Sequence, residues 1–274
     1  MGPDLRGLTP PARQYSDLAF YVPFVLLGGC YVLLIVAMVA AELSYTSPGH
    51  LLDQLRNPYL RDSIILTLVS CSISTVFCLI VGIPLGYLLS RHRFPGRWLV
   101  DAILDIPIVL PPLVVGLCLL MLFQTAPLAE FQKVFPITYH APSVVIGQFA
   151  VAAAFAVRTM TVTFDQISPR TEQVALTLGC TRTQAFYRVV LPQARRGVIT
   201  AATLAWARSL GEFGPIFVFA GTTRGKTEVL ASTVFLELSV GNLKAAVAVS
   251  LLMIGTAFLV LVVVRRYGGD RDER

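Results

Sequence analysis

The sequence predicts an all-α, polytopic membrane protein with about six spans. Apolar runs long enough to cross a hydrocarbon core, roughly 18 residues or more, recur along its 274 residues. Only 14% of the residues are charged, against roughly 25% in soluble domains. A third observation, the uneven distribution of Lys and Arg between alternate loops, sets the orientation. It also removes a nucleic-acid reading of the net charge of +6, because excess basic residues in such a chain mark its cytoplasmic loops.

The first span covers about 18–41, LAFYVPFVLLGGCYVLLIVAMVAA. Its apolar part is too long for a signal-peptide core and reads as a retained helix. The second, about 63–90, ends in GIPLGYLLS. The third, about 99–123, contains DIPIVLPPLVVG, where Pro107, Pro111 and Pro112 kink the helix. Those prolines fit an irregular packed helix or the wall of a gate. The fourth, fifth and sixth spans lie at about 143–160, 197–220 and 244–264. Arg158, placed at the inner end of span four, is expected to snorkel to the interface. A polar segment, 161–196, separates spans four and five. After span five, VLASTVFLEL within 221–243 has room for a short helix or re-entrant turn.

Fourteen Lys and Arg residues fall in one set of loops and termini and six in the other. The positive-inside rule then places both termini, the tails 1–17 and 267–274, and the 161–196 segment in the cytoplasm, with the permeating body at 18–266. Cys30, Cys71, Cys78 and Cys118 lie in apolar runs and read as small core hydrophobes. With Cys180 they form no C-x-x-C pair, so neither a disulfide framework nor a zinc site is expected. His50, His92 and His140 are scattered in loops. No catalytic residue, metal or cofactor of its own is expected.

GTTRGKT, Gly221 to Thr227, imitates the second half of a phosphate-binding P-loop, G-x-x-x-x-G-K-[ST]. The position five before Gly225 is Ala220, and the element before it is a membrane helix rather than a strand. Orientation also puts the stretch outside, away from cellular ATP. It reads as a polar turn at a helix end. Its Arg224 and Lys226 form a cationic pair at the outer mouth of span five.

The cytoplasmic segment carries more order. Ser168-Pro169 is a helix start, with Ser as N-cap and Pro in the first turn. The helix runs through Glu172, Val174, Ala175 and Leu178 to a natural stop at Gly179. Thr181 and Gln184 have capping-box spacing. Phe186, Val189 and Val190 form an apolar stripe, and Pro192 ends that helix or begins the next. Residues alone leave two readings: an interfacial helix pair on lipid headgroups, or a docking surface for a soluble partner.

This stretch resembles the EAA loop of ABC importer permeases: E-A-A, three residues, Gly, nine residues, Ile, one residue, Leu-Pro. Gly179 is followed at that spacing by Val189 and Leu191-Pro192. Gln173, Val174 and Ala175 stand at the E-A-A positions, with Glu172 one place earlier. Glu to Gln, Ala to Val and Ile to Val are departures that keep helicity and size. The resemblance implies that Glu172, Ala175, Gly179, Val189, Leu191 and Pro192 couple the chain to a separate ATPase subunit, where ATP and Mg are used.

It extends from about the second span to the sixth. Gly82 to Arg97 and Ile106 to Gly116 are similar to stretches of oxyanion permeases. Trp206 to Pro215, WARSLGEFGP, resembles the R-x-x-G-E-[FY]-G signature of molybdate, tungstate and sulfate permeases, here Arg208, Gly211, Glu212, Phe213 and Gly214. Arg208 and Glu212 stand at i, i+4 and can pair; they read as the only charged pair deep in a span. Either a structural ion pair or a pathway pair fits, because intramembrane charges face protein or water. Gly211 and Gly214 allow close helix approach, and Pro215 breaks the helix. With Pro111 and Pro112 these are the candidate gate residues.

The resemblance implies a type I ABC importer permease fold in the cytoplasmic (inner) membrane of a bacterium or archaeon. It implies transport of a tetrahedral oxyanion, molybdate first, tungstate or sulfate next. The implied partners are an external substrate-binding protein, two copies of an ATPase subunit, and a second permease copy in a homodimer or, for sulfate-type systems, a heterodimer, all in a lipid setting. A secondary transporter or channel is the rival. It predicts more intramembrane ionisable groups or related halves, and no internal repeat is visible. A membrane enzyme would need a cluster such as H-E-x-x-H.

Overall fold

A computed structural model describes residues 18–46, 49 and 54–268. The tail expected at 1–17, most of that at 267–274, and His50 lie outside the described residues. The chain falls into two units, 1–45 and 46–274. The first is described by α1 (Leu18–Tyr45), a 28-residue helix that is apolar on every side, the pattern of a membrane span.

The second unit is built on α2 (Pro58–Arg91) and α6 (Ala141–Gln166). These helices approach through small residues. A Cβ on Gly82 would lie 3.2 Å from Ala156, and one on Gly86 would lie 2.6 Å from the Met160 Cβ. Close approach of this kind supplies the dispersion contacts that hold helices together in lipid. Several hydroxyls buried along α2 return to their own helix: Thr67 Oγ1 donates to Ser63 O at 2.6 Å and Thr75 Oγ1 to Cys71 O at 2.7 Å. α9 (Arg195–Leu210) completes the core, with Cys78, Ala152, Ala156 and Ala205 buried together. Cys71 and Cys78 are buried as expected, whereas Cys30 and Cys118 lie exposed.

Among the described residues, four helices are long and apolar enough to cross a membrane: α1, α2, α6 and α11 (Leu243–Gly268). A fifth span is made if the bent pair α3 (Arg97–Val109) and α4 (Pro112–Gln124) is counted as one. These two helices meet at 112° around Leu110 and Pro111. The expected fifth span is not one helix either. α9 stops at Leu210, and after a break at Gly211 to Phe213 the chain is helical again from Gly214 into a π-helical segment, Ile216–Ala220. Proline explains both breaks, since it gives no N–H and clashes with the preceding turn.

α6 runs on to Gln166, six residues past the expected end of its span. α5 (Ala126–Val134) is a short helix that the sequence reading passed over. Gln132 fixes it: its Nε2 donates to Phe123 O and its Oε1 accepts from Thr138 N. VLASTVFLEL forms α10 (Leu230–Ser239). The start of α10 is buried, and Leu230 N donates to Thr67 Oγ1 on α2 at 2.9 Å. That bond satisfies one of the donors a helix N-terminus leaves open.

Candidate functional site

Residues 168–193 fold as their local chemistry directs. α7 (Pro169–Thr177) begins at Ser168, whose Oγ accepts from Arg170 N. Gly179 takes φ +89°. Cys180 N then donates to Ala175 O, and Gly179 N to Leu176 O, both at 3.1 Å. This is a Schellman closure, which requires the left-handed residue at that place. α8 (Arg182–Ala185) opens on the capping box: Thr181 N donates to Gln184 Oε1 at 2.9 Å, and Gln184 N to Thr181 Oγ1 at 3.3 Å. The chain continues through a π-helical stretch, Phe186–Val190, into the turn Leu191–Gln193. Pro192 begins that turn and cannot donate to Arg188 O. Upstream, Leu191 N reaches five residues back to Phe186 O.

One side of this segment is sealed to the bundle. Ala175, Val190 and Ala194 are buried, and Val189 and Leu191 are half-buried. Val190 and Ala194 join Met160, Phe164, Ile167 and Ala201 in one apolar cluster, with Tyr87 and Phe186 against it. Glu172 turns to this side, where Tyr87 Oη donates to its Oε1 at 2.5 Å. Gly179 and Pro192 are exposed, as are the apolar side chains of Val174, Leu178 and Tyr187.

Two of the gate candidates, Pro112 and Gly214, meet where the bend between α3 and α4 touches the break after α9. A Cβ on Gly214 would lie 2.7 Å from Leu113 N and from Pro112 C, and one on Gly116 would lie 2.8 Å from Pro215 Cα. Gly147 of α6 faces the other side of Pro215, with its Cβ position 3.2 Å from the Pro215 Cβ. Pro111 stays exposed. Arg208 Nη1 lies 2.6 Å from Glu212 Oε1, and the Glu212 side chain is fully buried. The Arg208 guanidinium also lies 5.7 Å from the centre of the Phe155 ring. Phe213 packs against Phe217 and Phe235, at 5.3 and 5.0 Å between ring centres, which links the break to α10. Gly211 departs from expectation: it caps α9 at φ −84°, and its Cβ position meets nothing nearer than 3.9 Å. No other helix among the described residues approaches it closely. No hydrogen bond or ion pair among the described residues joins the coupling set to the gate set.

Arg158 overturns two expectations. It does not snorkel: its Nε and Nη2 donate to both oxygens of Asp105 at 2.7 Å, and its Nη1 to Asp101 Oδ1 at 2.8 Å. Nη2 also donates to Asp101 O at 2.8 Å. Arg208 and Glu212 are therefore not the only charged group within the spans. Bidentate pairing of this kind is strong and directional, and it fixes α3, which buries no side chain, to α6. Asp101 and Asp105 at i, i+4 in an apolar run were the signal available in the sequence. Beside Arg158 an open cavity of about 710 Å³ is lined by Thr159, Thr163, Gln166, Arg196 and Thr200.

The GTTRGKT turn ties much of its backbone to itself. Thr223 O accepts from Lys226 N, Thr227 N and Glu228 N. Thr227 Oγ1 is buried between Thr223 N and Ala220 O, at 2.9 Å from each. Those N–H groups point inward and cannot cradle a phosphate. Arg224 donates to Glu237 Oε1, so the expected cationic pair is half neutralised.

Known proteins match along most of the chain. The sulfate transport system permease protein CysT of Salmonella typhimurium is 33% identical over 242 residues, covering 86% of this chain and 87% of CysT. A probable molybdenum ABC transporter permease of Haloferax volcanii is 32% identical over 244 residues, covering 89% of each. Among solved structures, a chain of a bacterial ABC transporter that imports alginate superposes with a TM-score of 0.74 at 17% identity, over 94% of this chain and 97% of that one. The MetNI methionine ABC transporter in an inward-facing conformation superposes at 0.63 and 22% identity, over 76% and 94%. At these identities the superpositions show the fold. Residues 82–268, more than half of the chain, match the model of the binding-protein-dependent transport system inner membrane component. That stretch runs from the small-residue contact of α2 with α6 through both broken spans to the end of α11, and it places this chain in that family of ABC transporter permease subunits, which leave ATP hydrolysis to a separate subunit.

Proposed function

We propose that this chain is the membrane subunit of an ATP-driven importer of a tetrahedral oxyanion, coupled to its ATPase through residues 168–193. The observation that carries the reading is the two-sidedness of that segment. Its inner side is built into the bundle, while Val174, Leu178 and Tyr187 remain uncovered on the other. Ordered apolar side chains outside the spans fit a protein groove, and the Schellman closure at Gly179 gives them a fixed shape. Sulfate and molybdenum permeases match at 33% and 32% over similar lengths, and both anions share charge and tetrahedral form. We place molybdate first, tungstate and sulfate next, with an external binding protein making the finer choice. A second permease copy, identical or related, completes the pathway, and the junction of the two broken spans serves as its gate.

Gly179→Leu tests the docking role. No atom lies within 4 Å of the added Cβ, so the cost arises from the φ of +89° alone, about 1–2 kcal/mol in the left-handed region. Membrane insertion should be unchanged while ATPase recruitment and anion uptake fall together. Normal assembly and normal transport would remove the proposal.

A further inference from the structure

We propose that Tyr87 and Arg91 are positioning residues that carry the motion of the coupling segment into α2 by holding Glu172 from two sides. This rests on the docking role proposed above for residues 168–193. Tyr87 Oη donates to Glu172 Oε1 at 2.5 Å. Arg91 Nε lies 3.7 Å from Glu172 Oε2, and Arg91 Nη2 donates to Ile167 O at 2.9 Å. One guanidinium therefore holds both the end of α6 and the first turn of α7. The Arg91 and Glu172 side chains are only 9% and 12% exposed.

Adhesion alone does not need this arrangement. The Tyr87 ring already packs edge-on to Phe164 and Phe186, at 5.5 and 4.8 Å. Apolar residues in place of a buried ion pair are often as stable or more so. What the polar tie adds is direction. Apolar surfaces can slide by small shears, whereas a charge-assisted hydrogen bond holds only over a narrow range of distance and angle. α7 therefore cannot roll across the aromatic cluster without dragging α2 or breaking the tie.

α2 then runs on to the start of α10. From Tyr87 to Thr67 it rises about 30 Å, at about 1.5 Å per residue, and Thr67 Oγ1 accepts the bond from Leu230 N that fixes the start of α10. Pro84 removes one hydrogen bond on the way, but Gly82 and Gly86 press that turn against Ala156 and Met160. Rigid elements with fixed ends are the physical means by which coupling crosses such distances.

The test uses the assembled transporter in proteoliposomes, with its binding protein outside and molybdate or sulfate as the transported ion. The readout is anions moved per ATP hydrolysed. Tyr87→Phe keeps the ring and removes one hydroxyl. The expected result is an assembled complex that still hydrolyses ATP, with at least a fivefold fall in anions moved per ATP. Arg91→Gln should fall in the same direction. The double variant Tyr87→Phe/Glu172→Ala should be little worse than Glu172→Ala, because the Tyr87 hydroxyl acts only through Glu172. An unchanged ratio in Tyr87→Phe and Arg91→Gln overturns the proposal. So does parallel loss of assembly, hydrolysis and uptake at constant ratio, which is what a packing role would give. A wild-type chain that recruits no ATPase overturns the docking role as well.

Discussion

Replacing Gly214 with alanine tests whether the broken spans depend on backbone contact. The added Cβ would stand 2.7 Å from Leu113 N, Pro112 C and Pro112 Cβ, which is 0.7 Å short of the 3.4 Å at which ordinary contact begins. Two of those atoms are backbone, and the third is fixed in a proline ring, so no side chain can rotate away. Overpacking of this kind costs about 1–3 kcal/mol. If the cost falls on the state in which Pro112 and Gly214 touch, the population of that state drops by about 5–150-fold. Anion uptake and thermal unfolding of the assembled transporter, measured side by side, read this directly. Gly211→Ala is the internal control. Its Cβ finds nothing nearer than 3.9 Å, and its φ of −84° suits any residue. It should stay within about 0.5 kcal/mol of wild type. Gly214→Ala behaving like wild type, or Gly211→Ala matching its loss, would refute the close-contact account of the glycine signature.

Two further outcomes follow from the charged groups. Arg158→Gln takes the shared cation from Asp101 and Asp105, leaving Asp101 only the longer Arg97 contact at 3.5 Å. At 31% exposure of the Arg158 side chain, the loss should fall between the ~1 kcal/mol of exposed pairs and the ~3–5 kcal/mol of buried ones. Arg158→Lys should rescue it only in part, for want of a bidentate fork. Unchanged melting temperatures in both would show that α3 is held by something else. Glu228 lies buried beside the GTTRGKT turn with Oε2 unbonded, and burial pushes its carboxyl above the usual range, against smaller opposing effects of a Thr233 hydrogen bond and the Arg224 charge. Its folded pKa exceeds its unfolded one, so its contribution to stability is complete below about pH 4.5 and declines as pH rises through the folded value. Glu228→Gln should raise the melting temperature at pH 8 and hardly change it at pH 4. A gain equal at both values would exclude titration as the cause.

How far these features could be read beforehand depended on sequence distance. Ser168-Pro169, Gly179 and the Thr181–Gln184 box each act within a few residues, and α7 and α8 form where they place them. Long apolar runs mark α2 and α6 in the same way. The prolines at 111 and 112 announced a kink, but its 112° depends on Gly214, about a hundred residues later, which lets two backbones touch. Arg158 was misjudged because its helix was ended too soon. α6 continues to Gln166, and the guanidinium finds its partners on α3 instead, at Asp101 and Asp105 more than fifty residues earlier. Glu172 stands one place before the docking motif in sequence, yet its carboxylate faces Tyr87, 85 residues earlier. Only the packing of α2 on α6 brings those two together.

These tethers divide the second unit by how firmly each part is held, and that division limits where a stroke from an ATPase could be absorbed. α2, α6, α9 and residues 186–194 share an apolar cluster closed by Tyr87, Arg91 and Glu172. A close-packed core transmits displacement rather than absorbing it. α3 differs, because it buries no side chain and hangs on one guanidinium at its acidic face. Between α3 and the rest lies the Leu110–Pro112 bend, pressed against Gly214 and Pro215. A displacement of α7 under our reading would therefore reach that bend with little lost on the way, and the bend has no continuous helical hydrogen bonding to resist it. The residues that look like a gate would be where the motion is spent because they form the softest junction between two stiff parts.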